Sequence, residues 1–419
     1  MTDHEFTIPP EMAAHFDWLR DPEVRALLDC LNQDGFVTRV VGGAVRNSLL
    51  GLPVNDIDLA TTALPEQVVE RAELFGLKVV PTGIEHGTVT VIVMGTPFEV
   101  TTLRRDRETD GRHATVDFTS SWAEDAARRD FTINALYIDQ NGIISDFVDG
   151  MSDIAAARVR FIGDPVARIR EDFLRILRYF RIYAWYGKGR PDPASIQACT
   201  SERRGIESLS SERVWSELRR LLSAPDPEKA MLWLRISDVL DLVLPENVGL
   251  ENLQALVKAE REYGWSAEGL QRLQAILPQD LEVLESLVKR LKMSGEQQKR
   301  LFAWATQADT FTDLPSVDEF AKRLYFANQE AVQDQLYHAV AVAKQQQQES
   351  ASQLLDLLIF SVTWRKPSLP ISGKDLLPLG IAEGPRVGVI LNRLERRWVR
   401  NGFSISKEEL RDVLHLSKK

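Results

Sequence analysis

Along the first half of the chain, apolar residues alternate between helical spacing and the short apolar runs that are typical of strands. Helical spacing from Ala13 to Leu31 predicts helices over the first 30 or so residues. The strand-like runs lie at residues 38–41, 57–60, 78–81, 88–94, 98–103 and 133–138. Between them, amphipathic helices are predicted at residues 44–50, 65–75 and 122–128. This order predicts a mixed β-sheet with helices.

The pattern becomes helical from Asp164 onward, with long helices predicted over residues 169–186 and 327–358. We therefore expect an α+β protein, in which an N-terminal head with a mixed sheet is followed by an all-α neck, body and tail. Breaks in the pattern delimit these four domains. The predicted boundaries are 1–155 for the head, 156–225 for the neck, 226–365 for the body and 366–419 for the tail.

The composition is that of an ordinary globular protein: 44% of the 419 residues are hydrophobic and 27% are charged, which excludes collagen-like, disordered and disulfide-stapled chains. Cys30 and Cys199 lie far apart, outside any CxxC or Cys/His cluster, which favours two idle thiols in a reducing compartment. No apolar run approaches the roughly 18–20 residues of a membrane span, and residues 1–20 lack a secretory-signal pattern. We therefore expect a cytoplasmic protein with no membrane partner, and no obligate protein partner is evident.

Charge is distributed unevenly along the chain, whose net charge is −10. Residues 158–220 contain 14 Arg and Lys against 8 Asp and Glu, a net charge of +6, so the remainder carries −16. A basic segment in an acidic chain fits a surface that binds a polyanion such as nucleic acid. The alternative is a set of solvated helix faces.

Asp56 and Asp58 stand two residues apart at a predicted strand, so both carboxylates are expected on the same face. Two such carboxylates repel each other unless a cation lies between them. Nucleotidyl transfer needs this arrangement to hold Mg²⁺ ions. Just upstream, the backbone N–H groups of Gly42 and Gly43 can approach a triphosphate, and Arg46 can pair with it. Each element alone is common in surface turns, but their order within 17 residues favours a functional site.

The segment VVGGAVRNSLLGLPVNDIDLA, residues 40–60, resembles the head motif of class II nucleotidyltransferases in the DNA polymerase β superfamily. This group, the tRNA nucleotidyltransferase/poly(A) polymerase family, contains tRNA CCA-adding enzymes and bacterial poly(A) polymerases. The resemblance implies a polymerase-β-like head in which Asp56 and Asp58 hold the metals while Gly43 and Arg46 contact the nucleotide. The family usually adds a third carboxylate on a neighbouring strand. Glu99 is the candidate, and an ordinary surface glutamate is the alternative.

A second family motif, RRDFTINA, occupies residues 128–135. The resemblance implies that it handles the sugar and the phosphates, and we expect nucleotide binding by Arg129, Asp130 and Asn134. Arg129 can pair with phosphate, and Asp130 can accept a hydrogen bond from a ribose 2′-OH, which would favour ribonucleotides.

A third motif, EDxxR, occupies residues 171–175 and places Asp172 and Arg175 three residues apart on the predicted helix. An intrahelical ion pair is the alternative to base recognition. A carboxylate only accepts hydrogen bonds and a guanidinium only donates them, so the pair fits the edges of cytosine and adenine and rejects uracil and guanine. Arg178 and Arg181 continue at three-residue steps, toward the phosphates.

Two further regions bear on which family member this is. Residues 81–89, PTGIEHGTV, resemble the CCA-adding pattern, whereas poly(A) polymerases carry a basic run there. The loop at residues 104–117, with Asp110–Ala114 at its centre, has the full length that CC-adding relatives lack. In the tail, the similarity implies tRNA contacts, with a plain packing unit as the alternative. The candidate RNA-binding residues are Arg386, Arg393, Arg396 and Arg397.

Together the resemblance implies template-independent addition of C, C and A to the 3′ end of tRNA. The substrates would be CTP and ATP, the cofactor Mg²⁺ and the released product pyrophosphate. A poly(A) polymerase or an A-adding enzyme of the same family is the main alternative. A catalytically inactive RNA-binding relative is a weaker one.

Overall fold

The structure is a computed structural model that describes residues 4–106, 116–379 and 384–416. The chain divides into two compact units, Met1–Pro245 and Glu246–Lys419, each with its own buried hydrophobic clusters. The α+β class is confirmed, while the domain boundaries at 155, 225 and 365 stay predictions. Within the described ranges, no helix is both long enough and apolar enough to cross a membrane.

All described strands belong to the first unit. They are β1 (His4–Thr7), β2 (Thr38–Val41), β3 (Asp58–Thr61), β4 (Lys78–Gly83), β5 (Thr88–Val93), β6 (Thr96–Thr102), β7 (Arg104–Asp106), β8 (Val116–Phe118), β9 (Leu136–Ile138) and β10 (Ile143–Asp146). Eight of them form one mixed sheet in the order β1-β10-β9-β2-β3-β6-β5-β4, and β7 pairs with β8. This hairpin corrects the prediction of a loop over 104–117, whose central residues Asp110–Ala114 lie outside the described residues.

Eleven α-helices and four 3₁₀ helices, the longest of which is Pro10–Arg20, accompany these strands in the described part of the first unit. The α-helices are α1 (Pro22–Leu31), α2 (Gly43–Leu49), α3 (Pro65–Leu74), α4 (Trp122–Ala127), α5 (Gly150–Ala155), α6 (Pro165–Glu171), α7 (Leu174–Tyr186), α8 (Pro193–Glu202), α9 (Ser211–Leu222), α10 (Glu228–Ile236) and α11 (Leu240–Val243). Leu27 and Leu28 of α1 and Val68 of α3 share a core with the inward-facing Val89 and Val91 of β5.

The pairing of β3 determines where the acidic residues lie. It runs antiparallel to β2 and parallel to β6, and the parallel register sets Asp58 beside Glu99. Asp58 is the first residue of β3 and lies opposite Val41, the last residue of β2. Asp56 lies two residues before the first residue of β3. It is therefore not part of the pairing of β3 with β2 or with β6. The prediction that both aspartates share a strand face is therefore wrong for Asp56.

The predicted helix over 169–186 is wrong because it is two helices, α6 and α7, that meet at Asp172. Asp172 is extended, with φ −156° and ψ 105°. Its carboxylate accepts a 3.1 Å hydrogen bond from the backbone N–H of Leu174, a local contact that competes with continuation of the helix. The predicted placement of Asp172 and Arg175 on one helix face is therefore wrong.

The described part of the second unit is helical. Its helices are α12 (Glu251–Tyr263), α13 (Gly269–Gln274), α14 (Leu281–Arg290), α15 (Gly295–Thr306), α16 (Val317–Phe326), α17 (Gln329–Gln345), α18 (Ser350–Thr363), α19 (Gly373–Leu376), α20 (Pro385–Arg400) and α21 (Lys407–Leu416). The predicted helix over 327–358 is instead the pair α17 and α18, joined by a turn in which Gln347 has φ 55°. Leu336 and Val340 pack in one core with Leu354 and Leu358 across this pair.

Candidate active site

A cavity of about 470 Å³ opens beside the start of β3 in the first unit. Asp56, Asp58, Gly43 and Arg46 line it together with aromatic and basic residues of the helical segment. Those additional lining residues are Arg181, Trp185, Tyr186 and Arg220. The cavity therefore brings the predicted carboxylates, one of the predicted glycines and two predicted arginines to one place.

Two of the predicted carboxylates, Asp56 and Asp58, line this cavity, and Glu99 is the strand neighbour of Asp58. Asp58 and Glu99 are neighbours in the parallel register, and all three side chains, including Asp56, belong to exposed residues. Partial loss of water and the negative charges of Glu99 and Asp56 raise the pKa of Asp58, and Arg129 opposes them. The net effect is that the charged form of Asp58 is disfavoured in this environment.

The glycine pair shapes the opposite rim of the cavity. Gly42 has φ 76° and ψ −117°, a conformation that side chains rarely adopt, and it turns β2 into α2. A Cβ atom on Gly43 would lie 3.7 Å from Nη2 of Arg46, so the absence of a side chain keeps the backbone accessible beside that guanidinium.

Arg46 is a buried cation whose hydrogen-bond partners are all neutral. Its guanidinium donates to Asn134 Oδ1, to Asn47 Oδ1 at 2.9 and 3.1 Å, and to the Tyr186 hydroxyl at 2.8 Å. It also lies 4.0 Å from the centre of the Tyr186 ring. Burial lowers the pKa of Arg46, with a further contribution from the nearby charge of Arg181. A buried cation without a carboxylate partner is suited to receive an anionic ligand.

Arg129 is held by a carboxylate that the sequence motifs did not single out, Asp125. Asp125 is fully buried and accepts from Arg129 Nη2 at 2.9 Å, from the Tyr137 hydroxyl at 2.8 Å and from Arg128 Nε at 2.8 Å. Burial alone would lower the pKa of Arg129, but Tyr137 and Asp125 raise it. Arg129 thus stays charged, and its charge reaches Asp58.

Asp130 is buried and accepts four hydrogen bonds within the protein. Its Oδ2 accepts from Nε and Nη2 of Arg178 at 2.9 and 2.5 Å, and its Oδ1 accepts from the Phe131 backbone N–H and from Asn134 Nδ2. Burial alone would raise the pKa of Asp130, but Arg178, Asn134 and the Phe131 amide lower it to about 2. A ribose hydroxyl would have to displace one of these donors, so the 2′-OH contact stays a prediction.

Arg181 and Arg178 are tied together by Glu217, a buried residue of α9 that the sequence analysis did not propose. Glu217 accepts from Arg181 Nε at 2.5 Å and lies 3.9 Å from Arg178 Nη1. Arg181 lines the cavity, whereas Arg178 faces Asp130. These contacts fix the side chains of both arginines between the sheet domain and the helices that follow it.

Asp172 and Arg175 do not pair with each other and are not among the residues that line the cavity. Asp172 accepts from Arg213 Nη2 at 2.7 Å, and Arg175 donates to Glu171 at 2.5 Å and to the Arg168 carbonyl at 2.9 Å. The alternative of an intrahelical ion pair between them is therefore wrong. Base recognition by this pair stays a prediction. It requires a nucleotide base to replace the present hydrogen-bond partners of both side chains.

The four candidate arginines of the tail lie on α20, and all four side chains are exposed. Leu394 and Trp398 of the same helix are buried against the core of the second unit. None of the four, Arg386, Arg393, Arg396 and Arg397, has an ion pair with a residue in the described part of the chain. The helix thus presents a basic face to solvent.

The donor set at Asp56, Asp58 and Glu99 fits a divalent cation, because carboxylate oxygens suit Mg²⁺. Loss of water, followed by the negative charges of Glu99 and Asp56, raises the pKa of Asp58, and a nearby cation would oppose that shift. Among the described residues, no group of three or more His, Cys, Asp or Glu side chains is arranged to hold a metal ion by itself. Such an open arrangement fits Mg²⁺, which usually takes one or two carboxylates and completes its shell with water and substrate phosphates.

The sequence analysis missed Asp125, Tyr137, Tyr186 and Glu217. A signal existed for Asp125, which stands three and four residues before Arg128 and Arg129 on a predicted helix, the spacing of ion-paired neighbours. The other three contact their arginines across distant elements, so local spacing held no signal for them.

Two protein-family models match the chain. The model described as "Poly A polymerase head domain" covers residues 38–160. The model described as "Probable RNA and SrmB- binding site of polymerase A" covers residues 190–248. The first range contains the carboxylates, the glycine pair, Arg46 and Arg129, and the second contains Glu217 and Arg220.

Similar proteins cover nearly the whole chain. The human mitochondrial CCA tRNA nucleotidyltransferase 1 is 33% identical over 392 residues, which are 92% of this chain and 88% of that protein. The CCA-adding enzyme of Levilactobacillus brevis is 31% identical, over 90% of this chain and 92% of its own length. A crystal structure of the Bacillus stearothermophilus CCA-adding enzyme in complex with CTP superimposes with a TM-score of 0.71 at 27% identity, covering 98% of this chain and 99% of that one.

Proposed function

The chain belongs to the CCA tRNA nucleotidyltransferase family, and from that premise we propose that it adds C, C and A to the 3′ end of tRNA. CTP and ATP are the proposed substrates, and pyrophosphate is the leaving product. The observation that carries this proposal is the cavity that Asp56 and Asp58 line together with Arg46 and Arg181. The cavity offers carboxylates that can bind a cation and guanidinium groups that can bind phosphates.

The family generally uses a divalent metal, and Mg²⁺ is the ion proposed here, with Asp56 and Asp58 as its ligands and Glu99 as the third carboxylate. When bound, the metal lowers the pKa of the attacking hydroxyl and stabilises charge on the phosphates. The chain's own contribution is the β3–β6 register, which sets Asp58 beside Glu99.

The arginines are the proposed phosphate ligands. Arg46 is buried and lacks an anionic hydrogen-bond partner among the described residues, so a triphosphate would supply its missing counter-charge. Arg129 is oriented by Asp125, and Arg181 by Glu217, so neither side chain has to be ordered when substrate binds. The backbone N–H groups of Gly42 and Gly43 are proposed to approach the same phosphates.

Asp130 and Asn134 are proposed to support nucleotide binding through the arginines that they contact. Asn134 accepts from Arg46 and donates to Asp130, which in turn accepts from Arg178. Through these contacts the nucleotide-binding motif at 128–135 is linked to α7. Direct acceptance from the ribose hydroxyl by Asp130 is the finer proposal, and it requires one of these hydrogen bonds to open.

Asp172 and Arg175 are proposed to recognise the base by accepting from the exocyclic amine of cytosine or adenine and donating to its ring acceptor. Arg213 and Glu171 hold the two side chains in the described state. The base must therefore replace Arg213 at Asp172 and Glu171 at Arg175.

The tail arginines of α20 are proposed to contact tRNA phosphates, a role that their exposure supports. The cytoplasm is the proposed compartment, on the basis of two isolated buried cysteines. A poly(A) polymerase remains the second candidate function, because the first matching family model carries that description.

Substitution of the carboxylates tests the proposal. Asp56→Ala and Asp58→Ala should each abolish incorporation of both CMP and AMP into tRNA that lacks its CCA end, by at least about 10²-fold. Binding of tRNA, measured separately, should stay near that of the unchanged protein, since the proposed tail contacts are intact. Retention of AMP incorporation by either variant would contradict the metal-site assignment.

A further inference from the structure

The second unit contains a pocket of about 570 Å³ between α16 and α20. Its volume lies in the range of ligand pockets, about 300–1,000 Å³. Phe326 and Val399 supply its apolar wall. Four basic residues, Lys322, Arg323, Arg396 and Arg400, and one acidic residue, Glu319, complete the lining. None of the sequence motifs includes Lys322, Phe326 or Arg400.

The aromatic wall is unusual for its exposure. Phe326 is the last residue of α16, and 57% of its surface is accessible. The neighbouring aromatic residues Tyr325 and Trp398 are buried at 3% and 4%. One flat apolar ring is therefore left facing solvent beside a well-packed core, where it can stack on a planar ligand.

The charge of the pocket is only partly compensated. Lys322 lies 3.4 Å from Glu319, and Arg323 pairs with Asp313 at 2.6 Å. Arg396 and Arg400 stand one helical turn apart on α20, and neither pairs with an acidic residue in the part of the chain that the structure describes. Two guanidinium groups are thus available to an anion at the edge of an apolar ring.

A flat ring joined to a phosphate is the ligand that these groups fit together. Single-stranded nucleotides are recognised in this way, with the base stacked on an aromatic side chain and the phosphate paired with arginine. An acidic peptide would satisfy the arginines but would leave the Phe326 ring without a planar partner. The proposed tRNA contacts on Arg393 and Arg397 belong to the same helix, so a nucleic acid that follows α20 reaches the pocket.

We propose that this pocket binds one unstacked nucleotide of tRNA, with its base on Phe326 and its phosphate on Arg396 and Arg400. The inference rests on the proposed function, because that function makes tRNA the partner. The proposed pocket adds a contact that requires an unpaired base. The proposed phosphate contacts of the tail, in contrast, do not distinguish paired from unpaired nucleotides.

The test compares dissociation constants for full-length tRNA and for an RNA hairpin that is closed by a compact, stacked tetraloop and has no other single-stranded part than its 3′ end. Phe326→Ala should weaken tRNA binding by roughly 5- to 150-fold and leave hairpin binding unchanged. Phe326→Trp should restore tRNA binding, because the larger ring also stacks. Phe75→Ala removes a similarly exposed phenylalanine from α3's end and should change neither constant.

The salt dependence of tRNA binding distinguishes the contribution of the arginines from that of the Phe326 ring. Arg400→Gln should lower the slope of log K against log salt for tRNA by about 0.7–0.9, while Phe326→Ala should leave it unchanged. Unchanged tRNA affinity in Phe326→Ala would overturn the proposal, and so would equal weakening of tRNA and hairpin. Incorporation of CMP and AMP at saturating tRNA is a separate readout, since its absence in the unchanged protein would refute the proposed function instead.

Discussion

Asp58 on β3 and Glu99 on β6 lie side by side in a parallel register, and the negative charge of Glu99 acts on the Asp58 carboxylate. The raised pKa of Asp58 means that ionisation of this group opposes folding. The stability it contributes is fully present below the ordinary carboxyl pKa and is lost as pH rises through the raised value. At neutral pH the ionised Asp58 carboxylate therefore lowers the free energy of unfolding. A bound cation would offset part of that loss.

Asp58→Asn should accordingly raise the melting temperature at pH 7 in the absence of divalent cations, although it abolishes transfer. Addition of Mg²⁺ should raise the melting temperature of the unchanged protein and have a smaller effect on the variant. Glu5→Gln on the distant edge strand β1 is the matched control. It should neither raise the melting temperature nor reduce the response to Mg²⁺. An equal Mg²⁺ response in Asp58→Asn and the unchanged protein would refute the placement of the cation.

Asp125 should act on substrate through Arg129, and Asp153 provides a matched comparison. Both carboxylates are fully buried. Asp153 accepts from Arg158 Nε, Arg160 Nε and the Thr132 hydroxyl, each at 2.6 Å, and neither of these arginines is a proposed phosphate ligand. Breaking either buried pair should cost about 3–5 kcal/mol of stability. Only Asp125→Asn should also raise the KM for CTP and ATP, because only it releases Arg129.

Tyr137→Phe tests the same role if Asp125→Asn fails to fold. It removes one hydroxyl that donates to Asp125 at 2.8 Å and accepts from Arg129 Nε at 3.1 Å. The expected cost is about 0.5–1.5 kcal/mol, with a several-fold rise in nucleotide KM. If Asp153→Asn raises the nucleotide KM as much as Tyr137→Phe does, the effect is not specific to Arg129. Asp125 then has only a structural role.

Asp172→Ala should change which base is incorporated. Loss of the acceptor for the exocyclic amine costs on the order of 1.5–3 kcal/mol, roughly 10- to 150-fold in discrimination. The ratio of CMP to UMP incorporation should therefore fall on tRNA ending before CCA. Arg213→Gln removes the residue that holds Asp172 and should leave that ratio unchanged. An unchanged ratio in Asp172→Ala would refute base recognition by this residue.

Arg393→Gln combined with Arg397→Gln should weaken tRNA binding and lower the salt slope by about 0.7–0.9 for each phosphate that the variant no longer neutralises. Both side chains are exposed on α20, so folding should be preserved. Arg20→Gln, an exposed arginine near the N-terminus whose partner is Asp17, is the control. If the double variant and the control bind alike, this face of α20 does not touch RNA.

Local pattern predicted most of the sheet, because β2, β5 and β6 carry the apolar runs that buried strands require. It missed β1, whose residues are all exposed and therefore carry no hydrophobic signal. The strand predicted over 133–138 is shorter in the structure, because residues 132–134 form a short 3₁₀ segment in front of β9. The break between α6 and α7 depends on one side chain, Asp172, whose contact with the Leu174 amide leaves no trace in periodicity.

The candidate site was predictable where its residues are close in sequence, as with Asp56 and Asp58 or Gly42 and Arg46. Their grouping in one cavity with Arg181 required the fold, because strand register and helix packing join residues more than a hundred positions apart. Partners such as Glu217 and Tyr186 could not be inferred for the same reason. They explain how the arginines are held, whereas the motifs indicate only that arginines are present.

The central claim is that one cavity adds C, C and A in order and then stops. The most direct test incubates the protein with Mg²⁺, all four ribonucleoside triphosphates and tRNA that lacks its last three nucleotides, and then sequences the 3′ ends. We predict tails of CCA, with UMP and GMP rare. Runs of A, addition of A only to tRNA already ending in CC, or no addition would contradict the account.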